Sequence, residues 1–146
     1  MTLEFSVAIP ARFGASRLPG KPLRLLNGQP MILHVVDRAL AAGAAEVVVA
    51  TDDERIAAAV QGSGATVCMT RTDHPSGTDR LAEVAQRLAW PDQRIVINLQ
   101  GDEPLAPVSG IRTVAETLAA SAAAMATLAT PLLNVEELFS PNCVKL

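Results

Sequence analysis

The sequence predicts an α/β fold built on an open, mostly parallel sheet with helices on both faces. Three observations carry that prediction. Short apolar runs rich in strand formers alternate with segments of helical periodicity. The spacings between the runs suit crossover connections, which need a dozen or more residues, rather than two-residue hairpins. At 146 residues, 49% of them hydrophobic, the chain is also long enough for one domain with a substantial core.

The elements follow in order. FSVAIPA (5–11) is a continuous apolar run, which fits a strand covered on both faces, and a Gly/Pro-rich loop follows it. A helix is predicted from near Gln29, with Pro30 in its first turn, where the missing N–H costs nothing. It runs through MILHVVDRALAAG and stops at Gly43. EVVVAT (46–51) is the second strand, DERIAAAVQG a short helix and TVCMT (66–70) the third strand. GTDRLAEVAQRLAW (77–90) is amphipathic, with Leu81, Val84, Ala85 and Leu88 on one face, and reads as a helix. QRIVINLQ (93–100) is a strand, VSGIRTVAETLAASA (108–122) a helix and MATLAT (125–130) a further strand. PNCVKL reads as the opening of another. No internal repeat, low-complexity tract or linker interrupts the series.

Charge and cysteine usage narrow the function. A net charge of −3 argues against general affinity for nucleic acid or an anionic membrane, so any anion site must be local. Cys68 and Cys143 fall outside any CxxC or Cys/His spacing, which argues against a zinc site or a disulfide framework. They read as reduced, largely buried thiols. The N-terminus MTLEFSVAIPAR has Glu4 ahead of a short apolar run and is neither a signal peptide nor a membrane span; the expected location is the cytoplasm.

In open parallel sheets ligands sit beyond the carboxyl ends of the strands, so the loops to inspect are 12–28, 52–54, 70–78 and 101–107. From Phe5 to Val36 there is no Asp or Glu, yet Arg12, Arg17, Lys21 and Arg24 are present. This loop is not a P-loop. Gly14 lies one residue too far from Gly20, and Pro22 stands where a hydroxyl residue would hold magnesium. Two readings remain, a solvated basic loop or a triphosphate cradle in which Arg binds bidentately and Lys acts as a point charge. VINLQ ends in GDEP, which carries Asp102 and Glu103 off the same edge of the sheet. Asp102 is either a turn residue bonding its own backbone or a magnesium carboxylate facing the cations.

IPARFGASRLPGKPL, VATDDERI, CMTRTDHPSGTDRLAEV and INLQGDEPL, in this order and at these distances, closely resemble the 3-deoxy-D-manno-octulosonate (Kdo) cytidylyltransferase family. MATLATP and NVEELFSPNCVKL resemble it too, so the likeness spans nearly the whole chain. The resemblance implies a Rossmann-like nucleotidyltransferase fold, with residues 1–146 as the nucleotide-binding part of a single domain whose C-terminal part is missing. It implies that the missing stretch completes the sheet and supplies much of the sugar-acid pocket, a homodimer interface and a second metal-binding aspartate. It implies Mg²⁺-dependent transfer of a cytidylyl group from CTP to Kdo, for lipopolysaccharide biosynthesis. A sialic acid as acceptor, or a CTP-binding fragment without turnover, are the alternatives.

Residue by residue, Arg12, Arg17 and Lys21 match triphosphate-binding positions, and Pro10 and Ala11 the backbone approach to the base. Ser76, Gly77 and Arg80 match a segment on the cytidine side, Gln100 a polar group near the sugar acid and Asp102 the magnesium carboxylate. Lys21, Arg12 and Asp102 are the residues expected to act in catalysis. Other residues have simpler readings. His34 sits on or near the buried face of the first helix, and His74 is either a ligand contact or a turn residue. Asp52 or Asp53 caps one helix, Thr78 or Asp79 the next, and Trp90 and Phe139 pack.

Overall fold

Four strands form the central sheet of the computed structural model, which describes residues 3–14 and 18–145. They are β1 (Phe5–Ala11), β4 (Glu46–Thr51), β5 (Thr66–Met69) and β6 (Ile95–Asn98), all parallel, in the order β5-β4-β1-β6. Each follows one of the apolar runs of the sequence. β1 lies between β4 and β6 and is buried at all seven positions, which is why it reads as an unbroken apolar run rather than an alternating one.

Helices cover both faces, as expected for strands joined by crossovers. Phe5, Val7, Ile9 and Ala11 of β1 face a core shared with Ile32, Val35, Val36 and Ala39 of α1 (Met31–Ala41). Ile56 and Val60 of α2 (Glu54–Val60) and Ile111 and Ala115 of α4 (Val108–Ala119) complete it. Ala8, Val48, Ala50 and Cys68 face the opposite way, against Leu81 and Val84 of α3 (Gly77–Arg87), with Leu88 and Trp90 at the margin. Burial raises the pKa of the Cys68 thiol, in keeping with a packing residue. Trp90 packs as expected and donates its indole N–H to Glu46 Oε2 at 2.8 Å.

The segment before α1 departs from the expected helix start. Leu25–Leu26 (β2) and Gln29–Pro30 (β3) pair as a short antiparallel ladder, and α1 begins at Met31 with Pro30 as its N-cap. Asn27 and Gly28 both take positive φ, 51° and 81°, as a two-residue hairpin turn requires. His34 is half-buried and donates from Nε2 to the Leu26 carbonyl at 2.7 Å, tying α1 to the hairpin. At its other end α1 stops at Ala42, and Gly43 follows at φ 79°, the left-handed position that favours glycine.

The C-terminal stretch corrects three expectations. MATLAT forms no strand; Met125 is 85% exposed, and Leu128 lies against Gly110 of α4. A strand is stable only where its N–H and C=O groups find a ladder, and among the described residues none is offered beyond β6. The described part of PNCVKL is likewise a turn, closed by Cys143 N–H on the Ser140 carbonyl at 3.3 Å. Between them lies a helix the periodicity did not predict, α5 (Val135–Phe139), capped by Asn134, which accepts from Glu137 N–H at 2.8 Å. Glu137 in turn accepts from Leu133 N–H, a reciprocal arrangement close to a capping box. Phe139 is exposed rather than packed.

Candidate active site at the switch point of the sheet

The first crossover carries the chain from β1 to β4 on one side, and the later one brings it from β5 to β6 on the other side of β1. Loops leaving β1 and β6 therefore diverge, and a crevice opens where they part. Gly101 N–H reaches back to the Pro10 carbonyl at 3.3 Å, the last bond between the two strands' ends. A cavity of about 260 Å³ lies there. The structure brings Pro10, Ala11, Arg12, Lys21, Ser76, Gly77, Arg80, Gln100 and Asp102 to its lining, together with His74. Arg17, the remaining expected residue, lies outside the described residues.

Each wall has a local cause. Gly20, at φ 71°, turns the basic loop into a short 3-10 helix, Lys21–Leu23, in which Pro22 is buried. The loop is closed by Gly20 N–H on the Phe13 carbonyl at 2.8 Å, and the Phe13 ring carries the Arg55 guanidinium 3.4 Å above its centroid. Lys21 Nζ then stands 2.8 Å from Asp102 Oδ2. The acidic partner missing from residues 5–36 is thus supplied by a different strand end. Both groups are partly exposed, so the pair adds little to stability and matters chiefly for where it holds the two charges.

On the opposite wall, Ser76 is the N-cap of α3, accepting from Asp79 N–H at 3.1 Å. This corrects the expected cap at Thr78 or Asp79. The cap lies two residues before Thr78, and the Ser76 hydroxyl also donates to Asp79 Oδ2 at 2.5 Å, closing the first turn. Asp53 caps α2, accepting from Arg55 N–H at 2.9 Å, and the Arg55 guanidinium holds its carboxyl below the usual range.

Arg80, expected on the cytidine side, lines the cavity as a buried residue. Only 3% exposed, it donates to Thr70 Oγ1, to the Arg71 carbonyl at 3.1 Å and to Asp52 Oδ2 at 3.1 Å. It joins α3 to the ends of β4 and β5 and forms the floor of the cavity. Asp52 was not foreseen in this role, since 28 residues separate the pair and spacing alone does not show which strand ends face each other.

His74 proves to be both a lining residue and an anchored one. Its Nε2 donates to Glu83 Oε2, which also accepts from Arg71 N–H at 3.1 Å, while Glu83 Oε1 takes the Arg87 guanidinium. These donors, His74 first, hold the Glu83 carboxyl at about 2, below its ordinary 4.5. A carboxylate whose folded pKa is depressed contributes stability above its unfolded value and loses it as pH falls through the folded one. Glu83→Gln should therefore flatten the fall in stability between pH 4.5 and about 2, read as urea midpoints across that range; profiles parallel to wild type would contradict it.

Gly101 sets how closely the two strand ends approach. A Cβ there would meet the Pro10 carbonyl oxygen at 2.8 Å and Ala11 Cβ at 3.2 Å. Because the obstacle is backbone, Gly101→Ala should cost about 1–3 kcal/mol in urea unfolding. It should also displace Asp102, and unchanged stability would show that the strand ends are free to part.

Among the described residues no group of three or more His, Cys, Asp or Glu could hold a cation by itself. One carboxylate beside cations suits magnesium, which keeps waters and takes substrate phosphates as ligands, so Asp102 fits a cation that arrives with a nucleotide. No helix among the described residues is long and apolar enough to cross a membrane.

Comparison with known proteins bears on this geometry. A protein of Stenotrophomonas maltophilia (strain K279a) named 3-deoxy-manno-octulosonate cytidylyltransferase is 62% identical over 144 residues, 98% of this chain and 56% of its own. One of the same name from Yersinia enterocolitica (serotype O:8 / biotype 1B) is 54% identical over 143 residues, 98% of this chain and 57% of its own. The chain thus spans about half the length of the curated relatives it matches. The solved structure of CMP:2-keto-3-deoxy-manno-octonic acid synthetase complexed with CTP superposes with a TM-score of 0.73 at 50% identity, over 82% of this chain and 48% of that one. The family model described as cytidylyltransferase matches residues 7–146. With a match of that extent over a parallel sheet that opens at its switch point, the chain belongs to the cytidylyltransferase family.

Proposed function

We propose that residues 1–146 are the nucleotide-binding part of a single nucleotidyltransferase domain, which transfers the cytidylyl group of CTP to 3-deoxy-manno-octulosonate and releases pyrophosphate. The observation that carries this reading is the cavity between β1 and β6, lined by Arg12, Lys21, Ser76 and Gly77, with Asp102 paired to Lys21 at 2.8 Å. The names of the relatives and the CTP complex of the similar structure support the choice of nucleotide and acceptor.

In the reaction, a hydroxyl oxygen of the sugar acid bonds to the α-phosphorus and gives up its proton to solvent, the bond to the bridging oxygen of the β-phosphate breaks, and pyrophosphate leaves with the electron pair. Arg12 and Lys21 supply preorganised positive charge to the phosphates, Arg17 adding to them from the same loop. One such donor is worth roughly 3–4 kcal/mol in the transition state. Pro10, Ala11, Ser76 and Gly77 border the cytidine, Arg80 supports it from the floor, and Gln100 is placed toward the sugar acid. Asp102 would hold Mg²⁺, which when bound neutralises the triphosphate and polarises the reacting phosphoryl group. The whole protein acts as a homodimer in the cytoplasm, and its product serves lipopolysaccharide synthesis.

The test measures pyrophosphate release with Mg²⁺, CTP and Kdo, with a sialic acid replacing Kdo and with ATP or UTP replacing CTP. It compares the 146-residue chain with one extended to the length of its relatives. Release that depends on Kdo and CTP in the extended chain supports the proposal, and release with sialic acid alone reassigns the acceptor. CTP binding without turnover in the 146-residue chain would make it a binding part only.

A further inference from the structure

Glu83 holds one wall of the cavity without lining it. After β5 the chain must travel from Thr70 to the start of α3, and this stretch carries His74, Pro75, Ser76 and Gly77 along the cavity. Two side chains of α3, three residues apart and so on neighbouring positions of one face, hold the stretch down. Arg80 takes its beginning, at Thr70 and the Arg71 carbonyl. Glu83 takes it at two points, accepting from Arg71 N–H and from the His74 ring with a single oxygen. Both partners are well covered, with side chains 6% exposed for His74 and 13% for Glu83.

His74 precedes Pro75, which restricts its backbone to extended conformations, so fixing its ring also directs the chain that follows. That chain ends against the other wall: a Cβ on Gly77 would stand 3.1 Å from Pro10 Cγ. We propose that Glu83 is a positioning residue for the nucleotide site, clamping Arg71 and His74 so that Gly77 stays seated against Pro10 and Ser76 keeps its place on the cavity lining. The proposal rests on the reading of this cavity as a nucleotide site. The clamp operates in the empty protein, so that nucleotide meets a wall already in place and need not order it on binding.

The test compares wild type, Glu83→Ala and Arg87→Ala by backbone amide exchange without ligand and by titration with CTP. In Glu83→Ala, exchange across residues 71–76 should rise about tenfold or more while β1 keeps its protection, and CTP should bind about tenfold more weakly. Arg87→Ala, which removes only the outer partner of Glu83, should stay within about twofold on both measures. Glu83→Ala with wild-type exchange in this stretch, or with faster exchange and wild-type CTP affinity, overturns the proposal. Should Glu83→Ala fail to fold, His74→Leu, which cuts one arm of the clamp, carries the same comparison, with His74→Gln expected to restore the donor and the affinity. Absence of CTP binding by wild type would sink the nucleotide reading instead, and the exchange rates would still decide whether the clamp exists.

Discussion

Asp102→Asn in a chain extended to the length of its relatives is expected to lower Kdo-dependent pyrophosphate release by about a hundredfold or more, because a metal-held charge is worth several kcal/mol in the transition state. The amide keeps the shape of the carboxylate and still offers an oxygen to Lys21, which now stands 2.8 Å away. Fold and thermal midpoint should therefore stay near wild type, the pair being partly exposed and weak. The loss should be measured at limiting and at saturating Mg²⁺. A rate equal to wild type at limiting Mg²⁺ would remove Asp102 from the metal site, and a loss of fold would move its role from chemistry to structure.

The largest stability effect is expected at Asp52→Ala. Arg80 is nearly inaccessible to water, and Asp52 is the one carboxylate among its described partners. Removing one partner of a buried pair leaves a charge without compensation, which costs about 3–5 kcal/mol. For a chain of this size that corresponds to roughly 10 °C in thermal midpoint. Because Arg80 also joins β5 to α3, the floor of the cavity should loosen, and CTP affinity should fall with the midpoint. A midpoint within about 2 °C of wild type would show that Arg80 is satisfied by Thr70 and Arg71 alone.

Much of this fold could be read from local pattern, because parallel strands covered on both faces leave plain apolar runs. FSVAIPA, EVVVAT and TVCMT became strands within a residue of their expected limits, and the amphipathic stretch from Gly77 became α3. Errors arose where two local signals competed. Pro30 suits a helix start, but Asn27-Gly28 is a hairpin signal, and the hairpin took Gln29 and Pro30. Ser76, Thr78 and Asp79 can all cap a helix, and only the backbone settles which does. MATLAT has the composition of a strand, yet a ladder partner is a property of the sheet and not of those six residues.

The site divides in the same way. Its motifs lie at strand ends, where the switch-point rule directs attention, and nine of the ten named residues meet around one cavity, Arg17 alone lying outside the described residues. The supporting pairs Asp52–Arg80 and His74–Glu83 were not legible. Each joins residues from separate elements whose facing is decided by packing. Asp52 had an adequate local explanation as a cap, and Asp53 turned out to hold that position.

Lys21 and Asp102 are 81 positions apart, and the parallel order of the strands offers no shorter route between them. Such separation makes the pocket a late product of folding. A ribosome has to deliver the first hundred or so residues, several seconds of synthesis at about 5–20 residues per second, before the two walls can meet. Contacts this remote also reward the chain only after the entropy of loop closure has been met, so an intermediate that lacks β6 also lacks Gln100, Gly101 and Asp102 of the cavity lining. On the proposed reading of the cavity, CTP capture reports that β6 has joined the sheet, and CTP added during refolding should select molecules with all four strands in place without hastening the steps that produce them.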